Sequence, residues 1–327
     1  MSWPIQMGID GHLHSVGNRN MVNLPPKFVQ TIRDIHQEKG EEWLQNFDSL
    51  IHYCEKNWSL KVLPPFELSY NFVAPAKKRD GGQVVLKLSV PSKEFYSEVD
   101  ALRYFAGDGM VSIIDIEVDR GILILERLTP GDTLATLEDD IKATQIAADI
   151  MESLWVRETP GSCLPEIEER EKSLLDFQQQ FPFGKGPITR ELLQKAVQTF
   201  RRLLDEKNER YILHGDLHHY NILKAELSWV AIDPKGLVGE REYDTIQFLL
   251  NKLPDANIEP ILLKRIAVLV GKLKLDERRI LAWGFAHGVL STCWSLEEGE
   301  DYSSAFFKSI FVFENLHNQK YGLLGVG

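Results

Sequence analysis

Cysteine is scarce. Cys54, Cys163 and Cys293 are odd in number, far apart and free of any C-x-x-C spacing, so no disulfide framework is encoded. They read as buried or incidental thiols of a reducing compartment, and a cytoplasmic location is the expectation. No apolar run approaches the ~18 residues that a membrane span needs. The first residues, MSWPIQMGIDGHLH, lack a basic stretch followed by an apolar one, so no secretory signal is expected. The H-x-H formed by His12 and His14 stands alone and reads as an unliganded, mobile end. Basic residues are outnumbered: Lys plus Arg is 37, Asp plus Glu is 48, and the formal net charge is −11. That argues against a chain-wide footprint for nucleic acid and leaves room for a cationic ligand held by carboxylates. Repeats and low-complexity tracts are also absent, which excludes solenoid and largely disordered classes.

What is present is an ordinary globular balance, with 43% apolar and 26% charged residues in 327. This length suits two domains or one with two lobes, and it buries enough surface to need no staple. Pro25 and Pro26 open a helix with Phe28, Val29, Ile32 and Ile35 at helical spacing. Gly40 is expected to end it, and a second helix to carry Trp43, Leu44, Phe47, Leu50 and Ile51. Two short segments rich in apolar and β-branched residues, Phe66 to Val73 and Gln83 to Val90, predict a hairpin. Ser92 to Phe105 predicts a helix with Ser92 as N-cap. Val111 to Val118 and Gly121 to Leu128 predict a second hairpin. Beyond Pro130 the pattern is mostly helical, over Asp139 to Leu154, Glu166 to Phe181, Arg190 to Asn208, Asp244 to Leu250, Ile261 to Val270, Glu277 to Leu296 and Asp301 to His317. Tyr211 to Leu213 and Trp229 to Ile232 interrupt it as short strands. The expectation is an α+β chain divided into a helical extension at 1–59, a lobe at 60–130 and a helical lobe at 131–327.

The stretch Tyr211 to Asp233, YILHGDLHHYNILKAELSWVAID, carries chemistry. One apolar strand delivers His214, Gly215 and Asp216 to a loop, Asn221 follows, and Asp233 ends a second apolar strand. Two carboxylates and an amide oxygen are thereby expected at the ends of adjacent strands. Oxygen donors of this kind suit a hard cation such as Mg²⁺.

H-G-D-x-x-x-x-N followed by I-D-P-K-G resembles the catalytic core of the protein-kinase-like fold, in its aminoglycoside phosphotransferase branch. HGDLHHYNIL, WVAIDPKGLVGE and the EYD after them are similar to the aminoglycoside/hydroxyurea antibiotic-resistance kinases, the streptomycin 6-kinase family. Gly40-Glu41-Glu42-Trp43-Leu44 and Trp58-x-Leu60 extend the resemblance, which runs from about residue 25 to 300. It implies a bilobal fold with a small antiparallel-sheet N-lobe and a larger helical C-lobe. It also implies an ATP-dependent, Mg²⁺-assisted transfer to a hydroxyl of a small molecule, an aminoglycoside-like cation or another metabolite such as an amino alcohol or sugar. By the same resemblance Asp216 is the catalytic base or orienter of the acceptor, and Asn221 and Asp233 hold Mg²⁺. Lys87, inside the apolar strand Val84 to Leu88, meets the α- and β-phosphates. Glu98 is its partner, preferred over Glu94. Glu126 to Leu128 is the hinge whose backbone binds adenine. Asp244 braces the catalytic loop, a role compatible with N-capping the helix it is expected to begin.

The chain departs from protein kinases in two ways. No G-x-G-x-x-G precedes Lys87, and Asp233-Pro234-Lys235 replaces D-F-G. His214 reads as structural, while His218 and His219 fit more than one role. Glu240, Glu242 and Asp244, with Glu297, Glu298, Glu300 and Asp301, are candidate carboxylates for a cationic acceptor, although the second group also reads as a solvated loop. A separate reading takes His214, Asp216 and His218 as the ligands of a metal-dependent hydrolase. No nucleic-acid or membrane partner is expected, and the oligomeric state is not encoded in any pattern found.

Overall fold

The computed structural model describes residues 23–107, 109–206, 208–297, 299 and 302–325. His12, His14, Glu298, Glu300 and Asp301 lie outside the described residues. The chain divides into two compact units, one reaching Tyr96 and including Val111–Thr129, the other made of Ser97–Met110 and everything from Pro130 onward.

In the first unit, α1 (Pro26–Gln45) and α2 (Phe47–Asn57) precede β1 (Leu60–Val62), β2 (Phe72–Lys78) and β3 (Gln83–Leu88). Helix α3 (Lys93–Phe105) begins there and crosses the boundary between units. Ser92 caps it, its hydroxyl accepting from the Phe95 amide at 3.3 Å. Strands β4 (Ile113–Glu117) and β5 (Ile122–Glu126) complete an antiparallel sheet in the order β1-β2-β3-β5-β4. Alternation along β3 sends Val84, Leu86 and Leu88 into one core with Phe28, Ile32, Trp43 and Phe47 of the helices. Aromatic edges run through that core, from Trp43 to Phe47 at 5.1 Å and from Phe47 to Phe72 at 5.0 Å.

Two expectations fail here for physical reasons. Gly40 does not end a helix. The break falls at Gln37 (φ 50°, ψ −124°), and Gly40 is buried where a Cβ would collide with the Ile32 carbonyl oxygen. It is a close-approach glycine of a kinked helix. The first hairpin strand is displaced as well: 66–71 is not a strand, and β2 runs to Lys78 through Pro75. Pro75 has no N–H to donate, yet its carbonyl still accepts from Leu63 N at 2.9 Å. Pairing with β3, from Phe72↔Leu88 to Lys77↔Gln83, outweighs the weak strand propensity of Ala-Pro-Ala-Lys-Lys.

The second unit holds α4 (Asp140–Leu154), β6 (Val156–Arg157), α5 (Glu168–Gln180), β7 (Gly184–Lys185), β8 (Ile188–Thr189), α6 (Arg190–Asp205), β9 (Tyr211–Leu213), β10 (Ile222–Lys224), β11 (Trp229–Ala231) and β12 (Leu237–Gly239). It closes with α7 (Arg241–Asp244), α8 (Ile246–Leu250), α9 (Ile258–Leu273), α10 (Glu277–Glu297) and α11 (Ser304–Tyr321). Asp139 and Thr189 cap α4 and α6 through their side chains, as their positions before apolar-periodic runs lead one to expect. Helix α10 is buried on nearly every side, with Phe200 of α6 against Trp283 at 4.9 Å.

The strands expected to be neighbours are not paired. β9 lies in a three-stranded sheet of order β12-β9-β6, whereas β11 forms a two-stranded sheet with β10 and bridges Met110 through Ala231. What joins the two sheets is the loop chemistry described next.

Candidate active site

Leu213 ends β9 in a fully buried position, and the chain then turns through Gly215 at φ +79°. His214 is fully buried and its pKa is held below the ordinary histidine value, above all by desolvation. It is neutral, and its contacts define the tautomer. Nε2–H donates to the Ile232 carbonyl at 3.0 Å, and Nδ1 accepts from the Asp216 amide at 3.2 Å. Its own carbonyl accepts from the amides of Lys235 and Gly236 at 2.9 and 3.2 Å. One imidazole and its peptide thus tie the end of β9 to the segment after β11. His214 is structural, as read from the sequence.

Asn221 is buried and donates from Nδ2 to the Asp216 carbonyl at 3.0 Å, which leaves Oδ1 as its free acceptor. The Asn221 carbonyl accepts from Ile232 N at 2.9 Å. Asp233 follows at φ +63°, a left-handed conformation that aspartate tolerates better than most residues. Gly236, at φ +70°, is packed so closely that a Cβ would lie 2.8 Å from the Ser97 carbonyl oxygen and 2.9 Å from the Ala101 side chain.

Asp244 braces the turn. Its Oδ1 accepts from Gly215 N at 2.8 Å, while Oδ2 accepts from His214 N at 3.1 Å and from Trp155 Nε1 at 3.0 Å. It ends α7 instead of beginning a helix, so the N-cap reading is wrong and the bracing one describes its contacts. Trp155, just past α4, went unrecognised because it lies 89 residues from Asp244 and nothing local marks it.

His218 sits 3.9 Å from the Asp216 carboxylate, beyond hydrogen-bond reach. Burial lowers its pKa, and its Nδ1 accepts from Tyr220 N at 3.2 Å. His219 stacks on Phe248 at 4.1 Å. The hydrolase reading fails on these contacts. Both nitrogens of His214 are engaged with backbone, and among the described residues no group of three or more His, Cys, Asp or Glu is gathered for a metal.

Of the carboxylates expected to face an acceptor, Glu240, Glu242 and Asp244 are committed elsewhere, while Glu297 at the end of α10 is exposed. Glu240 is buried against Arg279, which donates from Nε at 2.7 Å and Nη2 at 2.8 Å, and it also accepts from Asn208 and Trp283. Burial pushes its carboxyl up, opposed by Arg279. Glu242 is buried and accepts from Asp276 N at 3.1 Å.

In the first unit, Lys87 is 3% exposed in β3, paired across to Val73 and Leu123. Alternation places it with Val85 on the sheet face opposite the α1–α2 core. Glu126 ends β5, and its carboxylate accepts from the amide and hydroxyl of Ser112 at 2.8 and 2.9 Å. Leu128 is buried two residues on. In the second unit, Glu98 is buried on α3; Glu94, one turn earlier in the part of α3 that belongs to the first unit, is exposed.

Residues 61–299 match the aminoglycoside/hydroxyurea antibiotic resistance kinase family. The chain belongs to that family. It is a small-molecule kinase, an enzyme that transfers a phosphoryl group from ATP to a hydroxyl. The kinase is 29% identical to streptomycin 6-kinase of Streptomyces griseus over 298 residues, covering 85% of this chain and 92% of that enzyme. It is also 29% identical to hydroxyurea phosphotransferase of Kitasatospora aureofaciens, covering 86% and 82% of the two chains. An aminoglycoside phosphotransferase solved with ADP and hygromycin B shares the fold, with a TM-score of 0.57 at 15% identity over 84% of this chain and 99% of that one. The kinase therefore has the bilobal α+β protein-kinase-like fold. No helix among its described residues is long and apolar enough to cross a membrane.

Proposed function

We propose that the kinase phosphorylates a hydroxyl of an aminoglycoside-like acceptor with Asp216 as the catalytic base. The observation that carries this reading is the loop itself, where Asn221, His214 and Asp244 all bond to the backbone around Asp216 and hold it in place. In the transfer, the acceptor hydroxyl oxygen bonds to the γ-phosphorus and the bond to the β–γ bridging oxygen breaks. ADP leaves, and the hydroxyl proton passes to the Asp216 carboxylate. The transition state is loose, so positioning supplies most of the rate.

Asn221 Oδ1 and the Asp233 carboxylate fit Mg²⁺ by donor chemistry, as hard oxygens too few for a closed protein cage. When bound, the ion would neutralise charge on the phosphate oxygens. Lys87 serves the α- and β-phosphates, Glu98 positions it, and the backbone of Glu126 and Leu128 receives adenine. In this reading 60–130 is the nucleotide lobe, 1–59 its helical extension and 131–327 the acceptor lobe, all working in the cytoplasm. With Glu240, Glu242 and Asp244 committed to internal bonds, the cationic character of the acceptor rests on the family and its relatives alone.

A phosphorylation panel of streptomycin, other aminoglycosides, hydroxyurea, amino alcohols and sugars tests the proposal. Turnover of streptomycin or a related aminoglycoside is expected. Turnover of neutral sugars alone would overturn the acceptor assignment and leave the catalytic one standing.

A further inference from the structure

The connection between β1 and β2, residues 63–71, reads Leu-Pro-Pro-Phe-Glu-Leu-Ser-Tyr-Asn and contains no glycine. It leaves the sheet in register. Leu63 N donates to the Pro75 carbonyl at 2.9 Å and Phe66 N to the Val73 carbonyl at 3.0 Å. Val73 pairs with Lys87, and Lys87 with Leu123. Phe66 therefore stands at the edge of the row that contains Lys87.

At the opposite side of the same sheet, Arg127 directly follows β5. Its guanidinium lies 4.9 Å from the centre of the Phe66 ring. In the order β1-β2-β3-β5-β4 the strands they adjoin are three spacings apart, and Arg127 lies four residues along the chain from Leu123, the partner of Lys87. Leu68 of the connection packs against the α1–α2 core, while alternation from Leu123, opposite Lys87, through Leu125 puts Arg127 on the face that bears Lys87, and the Phe66 ring with it. Among the described residues Arg127 has no carboxylate partner, and burial alone pulls its pKa below the ordinary value. The ring is thus the main favourable contact of a half-buried cation.

We propose that Arg127 and Phe66 form a latch that holds the 63–71 connection over the Lys87 face, so that the nucleoside triphosphate binds beneath a loop already in place. Both are positioning residues. This rests on the reading of the first unit as the nucleotide lobe. Pro64 and Pro65 stiffen the connection, and the latch supplies the anchoring for a covering loop that has no glycines to wrap closely round phosphates.

The test is calorimetric binding of a non-hydrolysable ATP analogue to the full chain, which needs no acceptor. Arg127→Ala and Phe66→Ala should each weaken binding roughly 5- to 30-fold, the span a partly desolvated cation–π contact corresponds to. The double variant should be no weaker than either single one, and Phe66→Trp should restore the wild-type value. Once the panel has supplied an acceptor, the loss in Phe66→Ala should appear in KM for ATP with kcat at saturating ATP unchanged. Unchanged affinity, tighter binding, additive losses or no rescue by Phe66→Trp would each overturn the latch. Lys87→Ala run in parallel separates the two levels. If it leaves affinity intact, the nucleotide-lobe reading fails; if it weakens binding while Arg127→Ala does not, the latch alone fails.

Discussion

Asp216 and Asp244 are two carboxylates with opposite assignments, and their partners show why. Asp244 accepts three hydrogen bonds shared over both oxygens, from Gly215 N, His214 N and Trp155 Nε1, and is 2% exposed. Asp216 is partly exposed, and His218 approaches its carboxylate to 3.9 Å. The first is spent on structure, and the second is the carboxylate proposed to take the acceptor's proton. Asp216→Ala should lower kcat by about 100-fold or more, the ordinary worth of a general base, with ATP-analogue affinity retained. A near-normal rate in that variant would remove Asp216 from the chemistry. Asp244→Asn has no orientation free of conflict, because either way its NH₂ faces an N–H donor. It should cost about 1–3 kcal/mol of stability and lower kcat, read by denaturant titration and by the panel assay. A variant with wild-type stability would show that the bracing bonds contribute nothing.

Elements differ in how much they owe to neighbours. α10 and α11 meet at Gly284 and Gly288, one turn apart on α10. A Cβ at Gly284 would lie 2.6–2.7 Å from the Phe313 ring, and one at Gly288 lies 2.8 Å from Ile310. Gly284→Ala gains about 1 kcal/mol of helix propensity and loses about 1–3 kcal/mol to overpacking, so a lower Tm is expected. Gly271, inside α9, has nothing within 4 Å of its Cβ position, so Gly271→Ala should raise Tm. Equal shifts in one direction for the two variants would show that packing at Gly284 is not tight. The same contrast explains what the sequence revealed. Long periodic runs such as α4 and α6 announce themselves, because 15 and 16 residues repeat one pattern. Two- and three-residue strands such as β6, β8 and β12 have no period to read, and the bounds of β2 are set by its pairing with β3. Asp216, Asn221 and Asp233 could be proposed from sequence because they share one local stretch. The contacts of Trp155 with Asp244 and of Phe66 with Arg127 could not, because only the fold brings them together.

For the molecule as a whole, the buried histidines set the acid limit. His219 and His287 are both buried, and desolvation pushes their pKa values down to about 2 and about 3, from 6.5. His214 and His218 shift in the same direction. A histidine kept neutral in the folded state takes its proton first in the unfolded chain. Its contribution to stability is therefore complete above pH 6.5 and is lost as pH falls from there toward the folded pKa. Each such group approaches a loss of about 1.4 kcal/mol per pH unit, so His219 and His287 together account for roughly 3 kcal/mol between pH 6.5 and 5. Against a total of about 5–15 kcal/mol that loss is large, and the denaturation midpoint should fall steeply over this window. His219 offers a dissection, since its ring stacks on Phe248 with the Asn251 side chain as a weak hydrogen-bonding neighbour. His219→Phe keeps the stack and removes the proton. It should cut the slope of stability against pH below 6.5 by about 1.4 kcal/mol per unit, measured by denaturant titrations from pH 7.5 to 5. An unchanged slope would mean that His219 is not the buried neutral group its surroundings require.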